Sequence, residues 1–269
     1  MTFGIIIQAR VKAHRLPSKL LLPFYKGKTV LDLIIQRLLN FTKKYKIKIP
    51  IILATSTNKA DTQLIRFAEK YKIHWFRGDE HNVLKRYVDC CDQYDIDHVI
   101  RVCADNPFFS TKYLRTLLSF VVTSLKDKRL KYDYISFTLD NKIPSIKEHI
   151  GLFAEYTTLS ALRSTLYSTT NPLYLEHVTN YLYSHLHNYN IYLINFEYKP
   201  IASAVSAAST LKSIRLTLDT IEDFNLLKKL YSSYIDNSYD EEINIKDIIR
   251  LLEPDHYKAM KQQIELHSK

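Results

Sequence analysis

The first 125 residues of the chain alternate between short apolar runs and longer amphipathic segments. The runs predict strands because they are short and rich in isoleucine and valine, whereas apolar residues spaced three or four positions apart predict helices. The predicted strands are 3–9, 50–55, 73–76 and 98–103, and the predicted helices are 30–45, 61–71, 82–94 and about 111–125. This alternation indicates an α/β fold, a Rossmann-like three-layer αβα sandwich around a mostly parallel mixed sheet.

The pattern is less regular after residue 126. It predicts strands at 132–138, 150–157, 191–196 and 214–218 and helices at 158–167, 173–187 and 219–235. Small and polar residues at 201–210 indicate an exposed loop, and the tail from residue 239 is predicted to be helical. Because neither a repeat nor a clear linker interrupts the chain, we expect residues 1–269 to form one domain.

Composition excludes several classes of protein. With 46% hydrophobic and 25% charged residues over 269 positions, the chain is neither disordered, collagen-like nor a coiled coil. The apolar runs are too short to span a membrane and the N-terminus lacks a secretory pattern, so we expect a cytoplasmic protein without membrane insertion. Cys90, Cys91 and Cys103 are too few and too poorly spaced for a disulfide framework or a zinc site. Cys103 is interpreted as a small buried strand residue.

The positive charge of the chain is concentrated in one segment. The formal net charge is +10, and residues 1–48 hold eleven lysines and arginines against the single acid Asp32. The rest of the chain carries equal numbers of cations and anions. A nucleic-acid-binding protein, one alternative for a basic chain, would instead present a dispersed basic face.

The most concentrated part of that charge directly follows the first predicted strand. Doubly wound sheets bind ligands beyond the carboxyl ends of their strands, arginine can direct two hydrogen bonds at phosphate oxygens, and lysine supplies a point charge. We therefore expect this basic loop to bind a polyphosphate, with a solvated surface turn as the alternative. The loop lacks the glycines of a Walker or dinucleotide motif. Its ionisable residues are Arg10, Lys12, His14, Arg15 and Lys19.

A carboxylate ends the fourth predicted strand at the same sheet edge. Asp105 follows the apolar run, and Pro107 prevents the strand from continuing. Mg²⁺ is usually held by one or two carboxylates together with substrate phosphates, so Asp105 is a candidate metal ligand. A helix N-cap is the weaker interpretation because Ser110 and Thr111 directly precede the next helix.

Two motifs of the basic loop resemble the N-terminal signature of the bacterial sugar cytidylyltransferases. These include the CMP-KDO and CMP-sialic-acid synthetases and the spore-coat polysaccharide cytidylyltransferase-like branch, to which the chain is most similar. The motifs are Gln8-Ala9-Arg10 and Arg15-Leu16-Pro17-x-Lys19. Further similar blocks follow in order at 54–58 (ATSTN), 76–80 (FRGDE), 101–108 (RVCADNPF), 148–155 (EHIGLFAE), 176–179 (EHVT) and 215–223 (RLTLDTIED). Lys12 and Ala13 stand where the family usually has a Gly-Ser pair.

The resemblance implies a nucleotidyltransferase-type fold and a reaction. That reaction is transfer of CMP from CTP to a sugar, sugar acid or related small acceptor, with release of pyrophosphate, in surface polysaccharide biosynthesis. Mg²⁺ is the implied cofactor and a homodimer the implied assembly. Residues of about 130–210 are then expected to form the subregion for acceptor binding and dimerisation, and no nucleic acid is expected as a partner.

The same resemblance assigns roles to individual positions. The catalytic residues are Arg10, Arg15, Lys19 and Asp105. The nucleotide-binding residues are Gln8, Ala9, Arg10, Arg15, Lys19, Ala54, Thr55, Ser56, Arg77, Gly78 and Ala104. The acceptor-binding residues are Arg101, Glu155, Glu176 and His177, and the metal ligands are Asp105 and Asp219.

Several alternatives stay open from the sequence. Arg86 either lines the nucleotide pocket or lies on a helix surface, and Glu155 either binds acceptor hydroxyls or is a solvent-exposed edge-strand carboxylate. His177 either contacts the acceptor or packs against the next strand. Gly78 is favoured by a positive φ or by close approach of a ligand.

Two rival functions remain. A glycosyltransferase with a similar sheet would hold its metal on an Asp-x-Asp pair, and Asp95 and Asp97 have that spacing but precede a strand, which places them at the wrong sheet edge. A family member without catalytic activity is the other, because of the missing Gly-Ser pair.

Overall fold

The computed structural model describes residues 1–13, 15–127, 129–140, 142–196, 211–237 and 242–267. These residues contain a seven-stranded sheet with the order β3-β2-β1-β4-β6-β5-β7. Its strands are β1 (Phe3–Gln8), β2 (Ile51–Ser56), β3 (His74–Gly78), β4 (His98–Cys103), β5 (Tyr134–Thr138), β6 (Glu155–Thr158) and β7 (Ile191–Asn195). The predicted fold class is confirmed.

Helices cover both faces of this sheet. They are α1 (Val30–Lys44), α2 (Thr62–Tyr71), α3 (Val83–Gln93), α4 (Thr111–Lys126), α5 (Leu159–Ser168), α6 (Pro172–Glu176), α7 (Asn180–Ser184), α8 (Ile221–Asp236), α9 (Ile245–Leu251) and α10 (Pro254–His267). Within the described ranges, no helix combines the length and the apolar character needed to cross a membrane.

Strand β1 shows why the sheet needs two helical layers. Its side chains alternate between the faces: Ile5 and Ile7 pack into one apolar cluster with α1, α4 and α8, whereas Ile6 packs into a second cluster with α3 and α5. All three isoleucines are fully buried. A strand that is apolar at every position is typical of the centre of a parallel sheet covered on both sides.

All strand pairs are parallel except the two made by β6. Because β6 runs antiparallel to β4, its first residue lies beside the carboxyl end of β4, and Glu155 is the register partner of Arg101. Ligand-binding residues from both halves of the chain are therefore brought to one edge of the sheet.

The predicted elements of the first half are confirmed to within two residues, whereas three predictions in the second half are wrong. The strand expected at 150–157 begins only at Glu155, and the helix expected at 173–187 divides into α6 and α7, because the chain turns inward between them to bury Val178 and Thr179. The predicted loop at 201–210 lies outside the described residues.

The segment 214–218 is the third wrong prediction, since it is extended but is not a strand of the sheet that the described residues form. Leu216 donates its N–H to the carbonyl of His149 (2.8 Å), and Leu218 donates to that of Asp105 (3.0 Å). Gly151 permits this approach: it has φ +57°, and a Cβ there would lie 2.8 Å from the carbonyl oxygen of Leu216. The segment thereby crosses the sheet edge and carries Asp219 to β4.

Candidate active site

Two adjoining cavities open at the carboxyl ends of β1 and β4. The first has a volume of about 270 Å³ and the second about 380 Å³. Eleven of the residues predicted to act in the site line the first cavity: Gln8, Ala9, Arg10, Arg15, Lys19, Arg101, Ala104, Asp105, Glu176, His177 and Asp219. Several of these residues also line the second cavity, and Glu155 is a further predicted residue in its lining. The topology therefore brings residues as far apart in sequence as Gln8 and Asp219 into one site.

Lys19 lies between the two predicted metal carboxylates. Its Nζ donates to Asp105 Oδ2 (2.8 Å), to Asp219 Oδ1 (3.2 Å) and to the carbonyl of Leu218 (2.6 Å). The side chain is buried. Burial alone would lower the pKa of Lys19, but the negative charges of Asp105 and Asp219 outweigh it and the pKa is raised.

Asp219 is ionised for the converse reason. Burial alone would raise the pKa of its carboxyl, but the positive charges of Lys19 and Arg15 lower it below its usual value. Arg15 Nη2 lies 3.3 Å from Asp219 Oδ2. The site thus pairs positively charged side chains with carboxylates.

These carboxylates fit a divalent metal ion. One ammonium nitrogen contacts both Asp105 and Asp219, so a single cation at that place is within reach of both. Among the described residues, no group of three or more histidine, cysteine, aspartate or glutamate side chains is arranged to hold a metal. A two-carboxylate site completed by phosphate oxygens and water is the arrangement that Mg²⁺ commonly adopts.

Arg10 and Arg15 differ from Lys19 in their exposure. Arg10 pairs with Glu176 at 2.7 Å, and the side chains of Arg10 and Arg15 are 38% and 47% exposed, against 10% for Lys19. Surface arginines with such contacts have the freedom to rearrange around an anion. Lys12 lies away from the cavities, 3.7 Å from Glu80, and His14 lies outside the described residues.

Arg101 and Glu155 form a buried ion pair at the junction of the two cavities. The Glu155 carboxylate accepts hydrogen bonds from Arg101 Nη1, from the hydroxyl of Tyr134 and from Thr179 Oγ1. Glu155 is only 2% exposed and belongs to an interior strand, so the interpretation as a solvent-exposed edge carboxylate is wrong. Arg101 also reaches towards Gln8, with Nη2 3.4 Å from Oε1.

Cys103 ends β4 as expected, but it is partly exposed and lines both cavities, so the expectation of a buried residue is wrong. Burial of its sulfur raises the pKa of Cys103 to about 11. The group is therefore a thiol at neutral pH and lacks the thiolate character of a nucleophile.

The residues predicted to hold the nucleobase lie farther along the edge, at the ends of β2 and β3. The described residues that line the two cavities do not include Ala54, Thr55, Ser56, Arg77 or Gly78. Arg77 donates to the carbonyls of Ser56 (3.0 Å), Thr57 (2.7 Å) and Asn58 (3.1 Å), and so holds the loop after β2 in place.

Gly78 and Arg86 are explained by packing against each other. A Cβ on Gly78 would lie 2.8 Å from Arg86 Cγ and 2.7 Å from Phe76 Cε1. Arg86 is fully buried and donates from Nε (2.9 Å) and Nη2 (2.6 Å) to the carbonyl of Asp79, so the surface position is wrong, and Arg86 lines neither of the two cavities. The φ of Gly78 is not positive, and the side chains of Phe76 and Arg86 leave no room for a larger residue there.

The Asp-x-Asp alternative is disfavoured by position. Asp97 Oδ2 accepts a hydrogen bond from the backbone of Thr2 at 3.1 Å, which places it beside the start of β1, at the sheet edge opposite the cavities.

Two residues of the site were not predicted from the sequence. Arg215 is fully buried and contacts Asp219, and His149 lines the second cavity. The available signal was an arginine at the start of an otherwise apolar run, RLTL, because a buried arginine requires anionic partners.

Comparison with known proteins finds similar sequences over most of the chain. Residues 4–248 match the family model described as cytidylyltransferase. The chain is 28% identical over 227 residues to the spore coat polysaccharide biosynthesis protein SpsF of Bacillus subtilis, covering 84% of this chain and 85% of that protein.

Solved structures share the fold. A cytidylyltransferase from Leptospira borgpetersenii superimposes with a TM-score of 0.73 at 24% identity, covering 98% of each chain. A CMP:2-keto-3-deoxy-manno-octonic acid synthetase, solved in complex with CTP, superimposes with a TM-score of 0.58 at 13% identity, covering 87% of this chain and 99% of that one.

Proposed function

The chain belongs to the cytidylyltransferase family, and on that premise we propose that it transfers CMP from CTP to a sugar, a sugar acid or a related small acceptor with release of pyrophosphate. The observation that carries this proposal is the position of Lys19 between Asp105 and Asp219, at the end of the basic loop. A nucleoside triphosphate needs cations for its phosphates and carboxylates for its metal, and here both line one cavity. Likeness to the spore coat protein supports a role in surface polysaccharide biosynthesis.

The reaction forms a bond between an acceptor oxygen and the α-phosphorus of CTP. It breaks the bond from that phosphorus to the oxygen that bridges to the β-phosphorus, and the acceptor oxygen loses its proton. Negative charge grows on the departing pyrophosphate, so catalysis is mainly positioning and electrostatic stabilisation. Arg10, Arg15 and Lys19 supply that stabilisation, and no protein nucleophile is required.

Asp105 and Asp219 are the residues that would hold Mg²⁺. When bound, the ion would neutralise phosphate charge and polarise the reacting phosphoryl group. The protein residues arrange this place: Asp105 is fixed by the end of β4, and Asp219 by the start of α8.

The nucleobase is proposed to lie along the ends of β2 and β3. Ala54, Thr55, Ser56, Arg77 and Gly78 border that path, while Gln8, Ala9 and Ala104 border the phosphates. The nucleobase would then lie outside the first cavity, which would hold the triphosphate.

The acceptor is proposed to occupy the second cavity. Arg101, Glu155 and His177 line it, and Glu176 lines the adjoining first cavity. A homodimer built through residues of about 130–210 and a cytoplasmic location complete the proposal.

The test is a pyrophosphate-release screen of the purified protein. All four nucleoside triphosphates are paired with panels of sugar acids, sugar phosphates and small phosphonates, with and without Mg²⁺. We expect Mg²⁺-dependent release from CTP with one class of acceptor. No turnover with any pair, together with no shift of the melting temperature by CTP, would reject the proposed enzyme.

A further inference from the structure

We propose that Arg215 is a positioning residue, which fixes the orientation of the Asp219 carboxylate and of the His149 ring at the wall shared by the two cavities. The proposal rests on the proposed function for the role of Asp219 as a metal ligand. Arg215 itself has no exposed surface and lines neither cavity.

The Arg215 guanidinium joins three side chains. Its Nε donates to Asp223 Oδ1 at 2.8 Å, and its Nη2 donates to Asp223 Oδ2 at 2.9 Å and to Asp219 Oδ2 at 3.0 Å. Its Nη1 lies 2.6 Å from His149 Nδ1. Two carboxylates and a histidine ring are therefore held by one rigid, planar group.

This contact fixes which oxygen of Asp219 faces the site. Oδ2 is held by Arg215 and also lies 3.3 Å from Arg15, whereas Oδ1 faces Lys19 Nζ and, through it, Asp105. The backbone N–H of Asp219 donates to Asp223 Oδ2 at 3.0 Å, so the same ion pair holds both its main chain and its side chain. Without Arg215, Oδ2 would lose its buried partner and keep only the half-exposed Arg15, so the carboxylate would be held less firmly in its orientation towards Asp105.

The contact also fixes the protonation of His149. An arginine nitrogen only donates, so His149 Nδ1 must be the acceptor, and the ring proton lies on Nε2. Burial and the charge of Arg215 lower the pKa of His149, in agreement with a neutral ring. Nε2–H is then the hydrogen-bond donor of the His149 ring, which lines the second cavity, and Nδ1 is not available there as a base.

The arrangement explains the choice of arginine over lysine. Four hydrogen bonds leave the guanidinium in three directions within one plane, and a lysine ammonium of similar length offers three donors at a single point. Arg215→Lys keeps the positive charge between Asp219 and Asp223 but loses the simultaneous contacts, and this makes it the informative variant.

The structure supplies a matched control in Arg86→Lys. Arg86 is also fully buried, yet its hydrogen bonds go to backbone carbonyls of Asp79 and Glu80. Both variants are expected to lower thermal stability, but only Arg215→Lys changes the site.

The experiment measures Mn²⁺ binding by electron paramagnetic resonance and the His149 tautomer by ¹⁵N NMR, both without CTP or acceptor. We expect Arg215→Lys to weaken Mn²⁺ binding by about 10-fold or more, as loss of a residue that orients a metal ligand does, and to disturb the His149 nitrogen signals. Arg86→Lys should leave both unchanged in the fraction that remains folded.

Wild-type Mn²⁺ affinity in Arg215→Lys would overturn the proposal for Asp219, and so would a wild type that binds no Mn²⁺. A wild-type His149 protonated on Nδ1 would overturn the proposal for the ring, even if both variants fail to fold. Lack of turnover with every acceptor, together with no shift of the melting temperature by CTP, would instead reject the proposed function, because neither the Mn²⁺ nor the His149 measurement uses the reaction.

Discussion

The two halves of the chain build the site in different ways. In residues 1–126 the site residues directly follow regular parallel strands, as Gln8 to Arg10 follow β1 and Ala104 and Asp105 follow β4. In the second half, Glu155 and Asp219 are held mainly by side-chain ion pairs, to Arg101 and to Arg215. The difference teaches that main-chain topology alone brings Gln8 to Arg10 and Asp105 to the sheet edge, whereas the orientation of Glu155 and Asp219 also depends on buried ion pairs.

The largest effect on activity is expected at Asp105, where the first half of the chain meets segment 214–218 of the second half. Asp105→Asn should reduce Mg²⁺-dependent pyrophosphate release from CTP by about 10³-fold, since it removes a charge from the proposed metal site. Activity is measured with the acceptor found by screening. Asp89→Asn is the control because Asp89 pairs with Lys85 on the surface of α3. Equal activity of the Asp105 and Asp89 variants would remove Asp105 from the mechanism.

The second prediction concerns the ion pair of the irregular half. Glu155→Gln should lower the free energy of unfolding by about 3 kcal/mol, because it leaves the charge of Arg101 buried without its partner. Urea denaturation measures the change. The double variant Arg101→Met, Glu155→Met should recover most of that stability while losing turnover. A double variant as unstable as Glu155→Gln would show that packing, and not charge, determines the loss.

The third prediction separates backbone strain from close approach. Gly151→Ala should lower the free energy of unfolding by about 2 kcal/mol, because the alanine would have a positive φ and its Cβ would also collide with the Leu216 carbonyl. Gly27→Ala is matched in φ, at +76°, but has no atom within 4 Å of the added Cβ, and should cost about 1 kcal/mol. Equal costs in thermal or urea unfolding would mean that the 214–218 segment moves aside.

The smallest effect is expected from a helix-capping motif that occurs in both halves of the chain. Thr29 at α1 and Thr220 at α8 each form a capping box with the residue three positions later. Replacement of either by alanine should cost about 1 kcal/mol of stability. Only Thr220→Ala should also weaken Mn²⁺ binding, because Thr220 adjoins Asp219. Unchanged Mn²⁺ affinity in Thr220→Ala would show that the Thr220 cap does not position Asp219, which would leave that role to Arg215.

The same contrast between the two halves explains how much of the fold can be predicted from the sequence. The periodicity of residues 1–125 predicts β1 to β4 and α1 to α4, because a strand such as β1 is apolar on both faces and a helix such as α1 repeats apolar residues every three or four positions. Segment 214–218 has an equally apolar pattern but is not a strand. It is buried against 149–151 and not against a sheet edge, and local pattern does not distinguish the two environments.

The site shows the same limit. Lys19, Asp105 and Asp219 are identified by their motifs, and the fold brings them together as expected. The contact of Arg215 with His149 and the burial of Glu155 depend on partners distant in sequence: His149 is 66 positions away from Arg215, and Arg101 is 54 positions away from Glu155. Composition and spacing carry no information on such pairs, since the same residues in solvent would give the same pattern.

The most direct test of the central claim is a crystal structure of the protein with CTP and Mg²⁺. We expect the triphosphate among Arg10, Arg15 and Lys19, and the metal ion in contact with both Asp105 and Asp219. A nucleotide bound away from the basic loop, or a metal ion that contacts neither aspartate, would contradict the account.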